Sequence, residues 1–375
     1  MPFTKKCFGE ISMKKLLLAA TVATLAMNAA QAAPTLYGKL SVTLDNIDNN
    51  GFKDESVTKV NSNASRLGVK GEEKLTDNLS AVYLAEWEIG ADGDGDAFKN
   101  RNRFVGIKSA GVATLKVGQH DSYFKTAANN NQDIFNDNNE LDMTKVLVGE
   151  DRLTNVIGFE TDKKLLGGLA FNIMFQQGEQ NENTKDKNGK TIPIDNSASG
   201  QKGSRNGFGD GVSTSLTYEN KDIGLNAAVA GNFAVASKYN AYGLSGVYTD
   251  AVRVTGSLDL SQVGAEGLVF GGLWQTAKPT DDTLVGYKGL KENAFGVTAA
   301  YIIPSTPVKL KAEYISAKTE VDGLEDRKND LYGVGADYNI NKQARFYGVV
   351  AQQKIDWQKD NNKKTVIGLG MEYNF

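Results

Sequence analysis

From Thr35 to Asp45 the chain alternates strictly. Leu36, Gly38, Leu40, Val42 and Leu44 fall on one face, and Tyr37, Lys39, Ser41, Thr43 and Asp45 on the other. A period of two marks a strand with one apolar face. The chain ends in the same way. Over Thr365–Phe375, Ile367, Leu369, Met371, Tyr373 and Phe375 share a face, opposite a set that is small or polar apart from Val366. A tilted strand needs about 9–11 residues to cross a bilayer, whereas ordinary globular strands run to about 5–6.

The pattern recurs over Ser65–Glu73, Leu79–Ile89, Arg101–Ser109, Ala113–His120, Arg152–Glu160, Gly168–Gln176, Val212–Glu219 and Ile223–Gly231. It continues over Val252–Leu260, Leu268–Gln275, Ala294–Tyr301, Val308–Ser316, Leu331–Tyr338 and Ala344–Gln353, which makes sixteen strands. Tyr239–Tyr248 also alternates, but an odd count would leave the termini on opposite sides of the membrane. Asn232–Asp250 is therefore read as an outer loop with strand character. Short links (Leu75–Asn78, Ser109–Val112, Asn220–Asp222, Ile302–Pro307, Asn339–Gln343) interleave with long polar ones. The long set is Asn46–Ala64, Gly90–Asn100, Asp121–Asp151, Gln177–Gly211, Thr276–Asn293, Ala317–Asp330 and Lys354–Lys364. All six prolines fall outside strand interiors, where a missing donor would go unsatisfied in hydrocarbon. These features predict an all-β, transmembrane antiparallel β-barrel of sixteen strands, with short periplasmic turns and long outer loops.

Composition changes the picture at the N-terminus. Mean hydropathy is −0.37, and the one long apolar run, Leu16–Met27, is too short for a membrane-spanning helix. Lys14-Lys15 precede it and Ala30-Gln31-Ala32 follow, the layout of a signal peptide cleaved after Ala32. Met13 is then the expected start, with residues 1–12 an extension, and residues 33–375 form the barrel domain. The removed segment takes Cys7, the single cysteine, and four of the basic residues against one acid. The mature chain is thus more acidic than the full chain's net −3. Tyr37, Tyr83, Trp87, Tyr218, Trp274, Tyr301, Tyr314, Tyr338, Tyr373 and Phe375 lie near strand ends, as interfacial girdles would require.

A barrel of this size leaves an aqueous channel, so discrimination needs a constriction. The long loop Asp121–Asp151 is the candidate. Asp121, Asp133, Asp137, Glu140 and Asp142 outnumber its cations, and Ile134 and Phe135 can pin it to a wall. Inward parity places Lys39, Arg66, Lys70, Lys116 and Arg152 on the opposing wall. Acidic loop against basic wall predicts a transverse field, which sets ion preference in a pore. Its sign stays open, since loop and wall oppose each other. Asp92-Gly-Asp-Gly-Asp96 opens like a calcium loop, but Ala97 and Arg103 stand where that pattern needs glycine and glutamate. It reads as an outer loop, and Gln177–Gly211 as a mobile surface loop. His120, the single histidine, reads as a pore-rim residue without a paired nucleophile. No phosphate loop, metal-ligand cluster or dinucleotide fingerprint appears, so no enzyme activity, cofactor, metal or nucleic-acid partner is expected.

The chain resembles the Gram-negative general porins of the neisserial and related proteobacterial type. The resemblance rests on Leu36-Tyr-Gly-Lys39, Ser65-Arg-Leu-Gly-Val-Lys-Gly71, Arg103-Phe-Val-Gly-Ile-Lys108, Gly118-Gln-His-Asp121, Arg152-Leu-Thr-Asn155, Leu331–Tyr338 and Tyr373-Asn-Phe375. It implies a homotrimeric outer-membrane barrel among lipid and lipopolysaccharide, with its third loop folded inward and passive diffusion of ions and small hydrophilic solutes. It also implies that Tyr373 and Phe375 are read by the barrel-assembly machinery. Gln119 departs from an arginine common at that position, and the Pro-Glu-Phe-Gly-Gly stretch of enterobacterial constriction loops is absent. Two alternatives stand beside the porin reading: a channel selective for one nutrient class, and a non-conducting barrel acting as adhesin or structural anchor.

Overall fold

The computed structural model describes residues 33–50, 56–94, 98–180, 187, 195–357 and 362–375. The expected signal peptide lies outside them, as do Gly95–Ala97 and most of Asn181–Ile194. The first strands are β1 (Thr35–Asn50), β2 (Ser56–Ser62), β3 (Arg66–Lys74), β4 (Leu79–Glu88), β5 (Lys99–Ser109) and β6 (Ala113–Asp121). A long loop leads to β7 (Arg152–Thr161), β8 (Leu169–Gln177), β9 (Phe208–Asn220), β10 (Leu225–Tyr239) and β11 (Leu244–Asp259). The chain closes with β12 (Leu268–Pro279), β13 (Lys291–Ile302), β14 (Val308–Glu320), β15 (Arg327–Asn339), β16 (Ala344–Ile355) and β17 (Asn362–Asn374).

Every neighbouring pair is antiparallel, and β17 returns to β1 with Leu40 opposite Tyr373 and Leu44 opposite Leu369. β2 and β3 both pair with β1, opposite Val42–Asp48 and Thr35–Lys39 respectively. They are two halves of one strand, interrupted at 63–65 where Ala64 takes φ 47°. Seventeen segments thus occupy sixteen positions, and the barrel closes on an even count. Two expected loops are strand instead. Within Asn46–Ala64 the described segments Asn46–Asn50 and Ser56–Ser62 are strand paired with their neighbours, and Asn232–Asp250 extends β10 and β11 to a tight turn at 240–243. The alternation in Tyr239–Tyr248 belongs to these prolonged strands, so no seventeenth position is needed.

The distribution of side chains is inverted relative to a water-soluble protein. Leu36, Leu40 and Leu44 are 61, 42 and 55% exposed, while Lys39, Ser41, Thr43 and Asp45 are at most 6% exposed. The outer wall is a hydrocarbon-facing surface and the polar face lines the interior. Most expected girdle aromatics point outward. Tyr37 does not: its hydroxyl donates to Glu86 at 2.8 Å inside the barrel.

The interior core is the 122–151 loop pressed against one side of the wall. Ile134, Phe135, Leu141, Met143, Val146 and Leu147 pack on Ile315, Ala317, Leu331, Val349 and Ala351. Phe124, Ala127 and Val148 pack on Ala228, Ala230, Ala251 and Ala277. Small wall residues make room for the loop, and its loss of water contact is the main term holding it. The loop's apolar side therefore faces β10–β17, and its polar edge faces β1–β7.

Candidate functional site: the constriction

The loop starts with one helical turn, α1 (Tyr123–Thr126), capped by the Ser122 hydroxyl accepting from the Lys125 amide. Polar anchors then fix its backbone. Fully buried Arg253 donates to the Gln275 side chain at 3.0 Å and to the Phe124 carbonyl at 3.3 Å, and it pairs with Glu150. Gln275 donates to the Val148 carbonyl, and Glu292 accepts from the Val148 amide, each at 2.9 Å. Buried polar groups satisfied in this way fix one loop conformation.

At the apex Asp137 takes φ 66° and turns its carboxylate onto the wall. It lies 2.7 Å from Lys39, 2.8 Å from Arg66 and 3.9 Å from Arg101. Burial pushes this carboxyl up, but the pull of Lys39 and Arg66 outweighs it and holds the group at about 2. Arg101 also binds Glu86 at 2.6 Å and Glu88 at 3.3 Å. Farther along the wall Asp121 receives Arg152 at 3.0 Å, Lys125 at 3.6 Å and the Asn102 amide at 3.0 Å. These groups border a cavity of about 640 Å³ between loop and wall. Six cations line it (Lys39, Arg66, Arg101, Lys125, Lys145, Arg152) against five acids (Glu86, Glu88, Asp121, Asp137, Asp142).

Of the residues expected from sequence, Asp121, Asp137, Asp142, Lys39, Arg66 and Arg152 meet at this cavity. Asp121 is the last residue of β6 and so belongs to the wall. Asp142 also caps the next turn, accepting from the Thr144 and Asp137 amides. The others lie elsewhere. Asp133 is buried behind the loop, where burial, then Asp142 and Glu150, push its carboxyl up. Glu140 pairs with Lys364 and borders a separate cavity with Lys59 and Lys99. Lys70 stands over the Tyr37 ring, and Lys116 binds Glu160 at 2.6 Å. The acidic apex thus closes directly on the basic wall, rather than facing it across open water. His120 is 5% exposed beneath α1, against Tyr123 and Phe104, and is not a rim residue. Tyr373 and Phe375 stack on the outer surface.

Arg101 and Glu86 are the principal residues that sequence reasoning missed. Glu86 was legible, since it shares parity with Glu88 in β4. Arg101 was not, because Arg101 and Asn102 on β5 together oppose one β4 residue between the Ala85–Arg103 and Trp87–Asn100 pairs. That bulge switches the face count. A second bulge lies between Gly118–Val156 and His120–Leu153. There Gly118 has φ 143°, and a Cβ would come within 2.3 Å of the Arg103 carbonyl. The two bulges aim Arg101, Asn102, Asp121 and Arg152 at one another.

Among known proteins, the family described as Gram-negative porin matches residues 18–374. The major outer membrane protein P.IB of Neisseria sicca is 24% identical, over 97% of this chain and all of that protein. Outer membrane porin F of Xenorhabdus nematophila is 25% identical over 91% of each chain. Among solved structures, the anion-selective porin from Comamonas acidovorans superposes with a TM-score of 0.65 at 18% identity, covering 92% of this chain and 100% of that one. Salmonella typhi OmpF, solved with daunomycin, gives 0.62 at 16% identity, covering 91% and 97%.

Proposed function

The chain belongs to the Gram-negative porins, and from that premise we propose that its outer-membrane channel passes small hydrophilic solutes with a preference for anions set at the loop constriction. The observation that carries the preference is the lining of the constriction. Six cations face five acids, and Asp137 is already in contact with Lys39 and Arg66. The remaining four cations and four acids balance. One carboxylate shared by Lys39 and Arg66 leaves the apex contact with an excess positive charge, which biases the potential felt by a passing ion. Selection is by size and charge, without a catalytic cycle. Residues 1–32 act as a cleaved signal peptide, and Tyr373 and Phe375 are the signal read during barrel assembly.

The working form is a homotrimer. Outward aromatics are dense from β7 to β17, whereas on the outer face of β1–β6 Tyr83 and Trp87 stand among small and aliphatic residues and a polar pair. Arg103 sits opposite Ala85 and Gln119, in the outward row of Val105 and Val117, and donates to Gln119 at 3.0 Å. An arginine at that depth is costly against acyl chains and is accommodated by a neighbouring copy. One relative of the same fold, OmpT of Vibrio cholerae, is described in a trimer form. In planar bilayers the purified chain is expected to insert with conductance steps grouped in threes. Single isolated steps would contradict the trimer, and absence of conductance would contradict the channel.

A further inference from the structure

A second cavity, of about 390 Å³, lies on the other side of Asp137, between the loop and the β14–β17 wall. It reaches the short turn at 340–343, with Asn341, Lys342 and Gln343 in its lining, and so opens at the periplasmic end. Its lining is polar: only Ile134 and Ala344 are apolar. Six cations (Lys39, Arg66, Lys309, Lys311, Lys342, Arg345) face four acids.

The acids are already committed. Asp137 is held by Lys39 and Arg66, Asp337 by Lys311 at 3.0 Å and Arg345 at 2.9 Å, and Glu372 by Arg345 at 2.9 Å and Lys39 at 3.8 Å. Asp133 is buried and accepts from the Asn136 amide. Among the described residues, Lys309 and Lys342 have no carboxylate within salt-bridge distance, and the buried Nε of Arg345 has no acceptor. Two ammonium groups, Lys309 and Lys342, therefore remain without an acidic partner around one small volume, beside the Arg345 guanidinium. Each acid that could have neutralised them is engaged elsewhere.

We infer that this cavity is a saturable site for small multivalent oxyanions, held by Lys309, Lys342 and Arg345 on the periplasmic side of the constriction. The inference rests on the channel reading and names the solute class that the channel would retain. Carboxylate and phosphate oxygens both suit ammonium and guanidinium donors. The volume lies at the small end of ligand sites. Being inside the barrel, the cavity is closed to lipid headgroups, which leaves free solutes as the source.

A third cavity, of about 500 Å³, also lies at the short-turn end but balances Lys163, Lys164 and Lys221 against Glu160, Asp162 and Glu219. It supplies the control. Pyrophosphate or citrate is added to each side of a bilayer holding the full-length wild-type channel, at constant ionic strength. Each anion is expected to reduce the current saturably, and at lower concentration from one side than from the other. Lys309→Gln with Lys342→Gln should raise the half-blocking concentration about tenfold, equivalent to about 1.4 kcal/mol, relative to that variant's own open current. The exposed Lys342→Gln alone should raise it in the same direction. Lys164→Gln with Lys221→Gln should leave it within twofold. Equal shifts from both pairs, or no block of a normally conducting wild-type channel, would overturn the site while leaving the channel reading intact. A wild-type chain that does not conduct would remove both. Block by pyrophosphate alone or citrate alone would overturn the shared oxyanion chemistry.

Discussion

In the proposed constriction, Asp137 is the acid that offsets the wall cations Lys39 and Arg66 directly. Removing its negative charge releases Lys39 and Arg66 into the lumen without adding bulk. Asp137→Asn is therefore expected to raise chloride-over-potassium permeability about two- to threefold, the effect of one charge a few ångströms from the ion path in screened water. Reversal potentials of the variant and the wild type check this, and an unchanged value would mean that Asp137 is not at the narrowest point. Asp151, at the loop's end, responds to pH. Burial raises its carboxyl to about 6, against the hydrogen bond from Ser237 and the pull of Lys125 and Arg253. Between about pH 4 and 6 the docked loop keeps a proton that a detached loop would release, so attachment weakens as pH rises through that window. Corrected hydrogen-exchange protection of the Ser122 amide, which bonds the Asp151 carbonyl at 3.0 Å, should be higher at pH 4.5 than at pH 7. Asp151→Asn should narrow that difference, and equal protection in the wild type would contradict this.

At the scale of elements, the loop is held by apolar packing on an alanine-lined wall together with one buried ion pair. Replacing Arg253 by Met leaves Glu150 buried without its partner, at a cost of about 3–5 kcal/mol. The expected result is a channel that still inserts but shows larger conductance and more open-channel noise. Unaltered conductance and noise would mean that the packing alone holds the loop. How far such elements can be read from sequence depends on how regular they are. The closing strands and the inward loop with Ile134 and Phe135 were legible, because uninterrupted alternation and a long polar insertion leave few alternatives. Arg101 was not, since a one-residue bulge reverses the face on which every later side chain is counted. The extended β10–β11 hairpin was mistaken for a loop because strand continuing above the membrane has the same period as strand within it. The alanine wall receiving the loop draws on residues as distant as Ala228 and Ala351, which only barrel closure brings to one side.

At the scale of the whole molecule, closure removes the last sheet edge. Gly38 and Phe375 exchange backbone hydrogen bonds at 2.9 and 3.0 Å, and the Phe375 ring lies where a Cβ on Gly38 would be. The first and last strands identified by their alternation are thus direct neighbours, and the terminal aromatic fits only because its partner is glycine. Within that closed wall, the loop divides the interior into a constriction and a periplasmic cavity, each lined by more cations than acids. The reversal potential of the wild-type channel across a tenfold potassium chloride gradient tests this account most directly. A value displaced toward the chloride equilibrium potential is predicted, and one displaced toward that of potassium would contradict it.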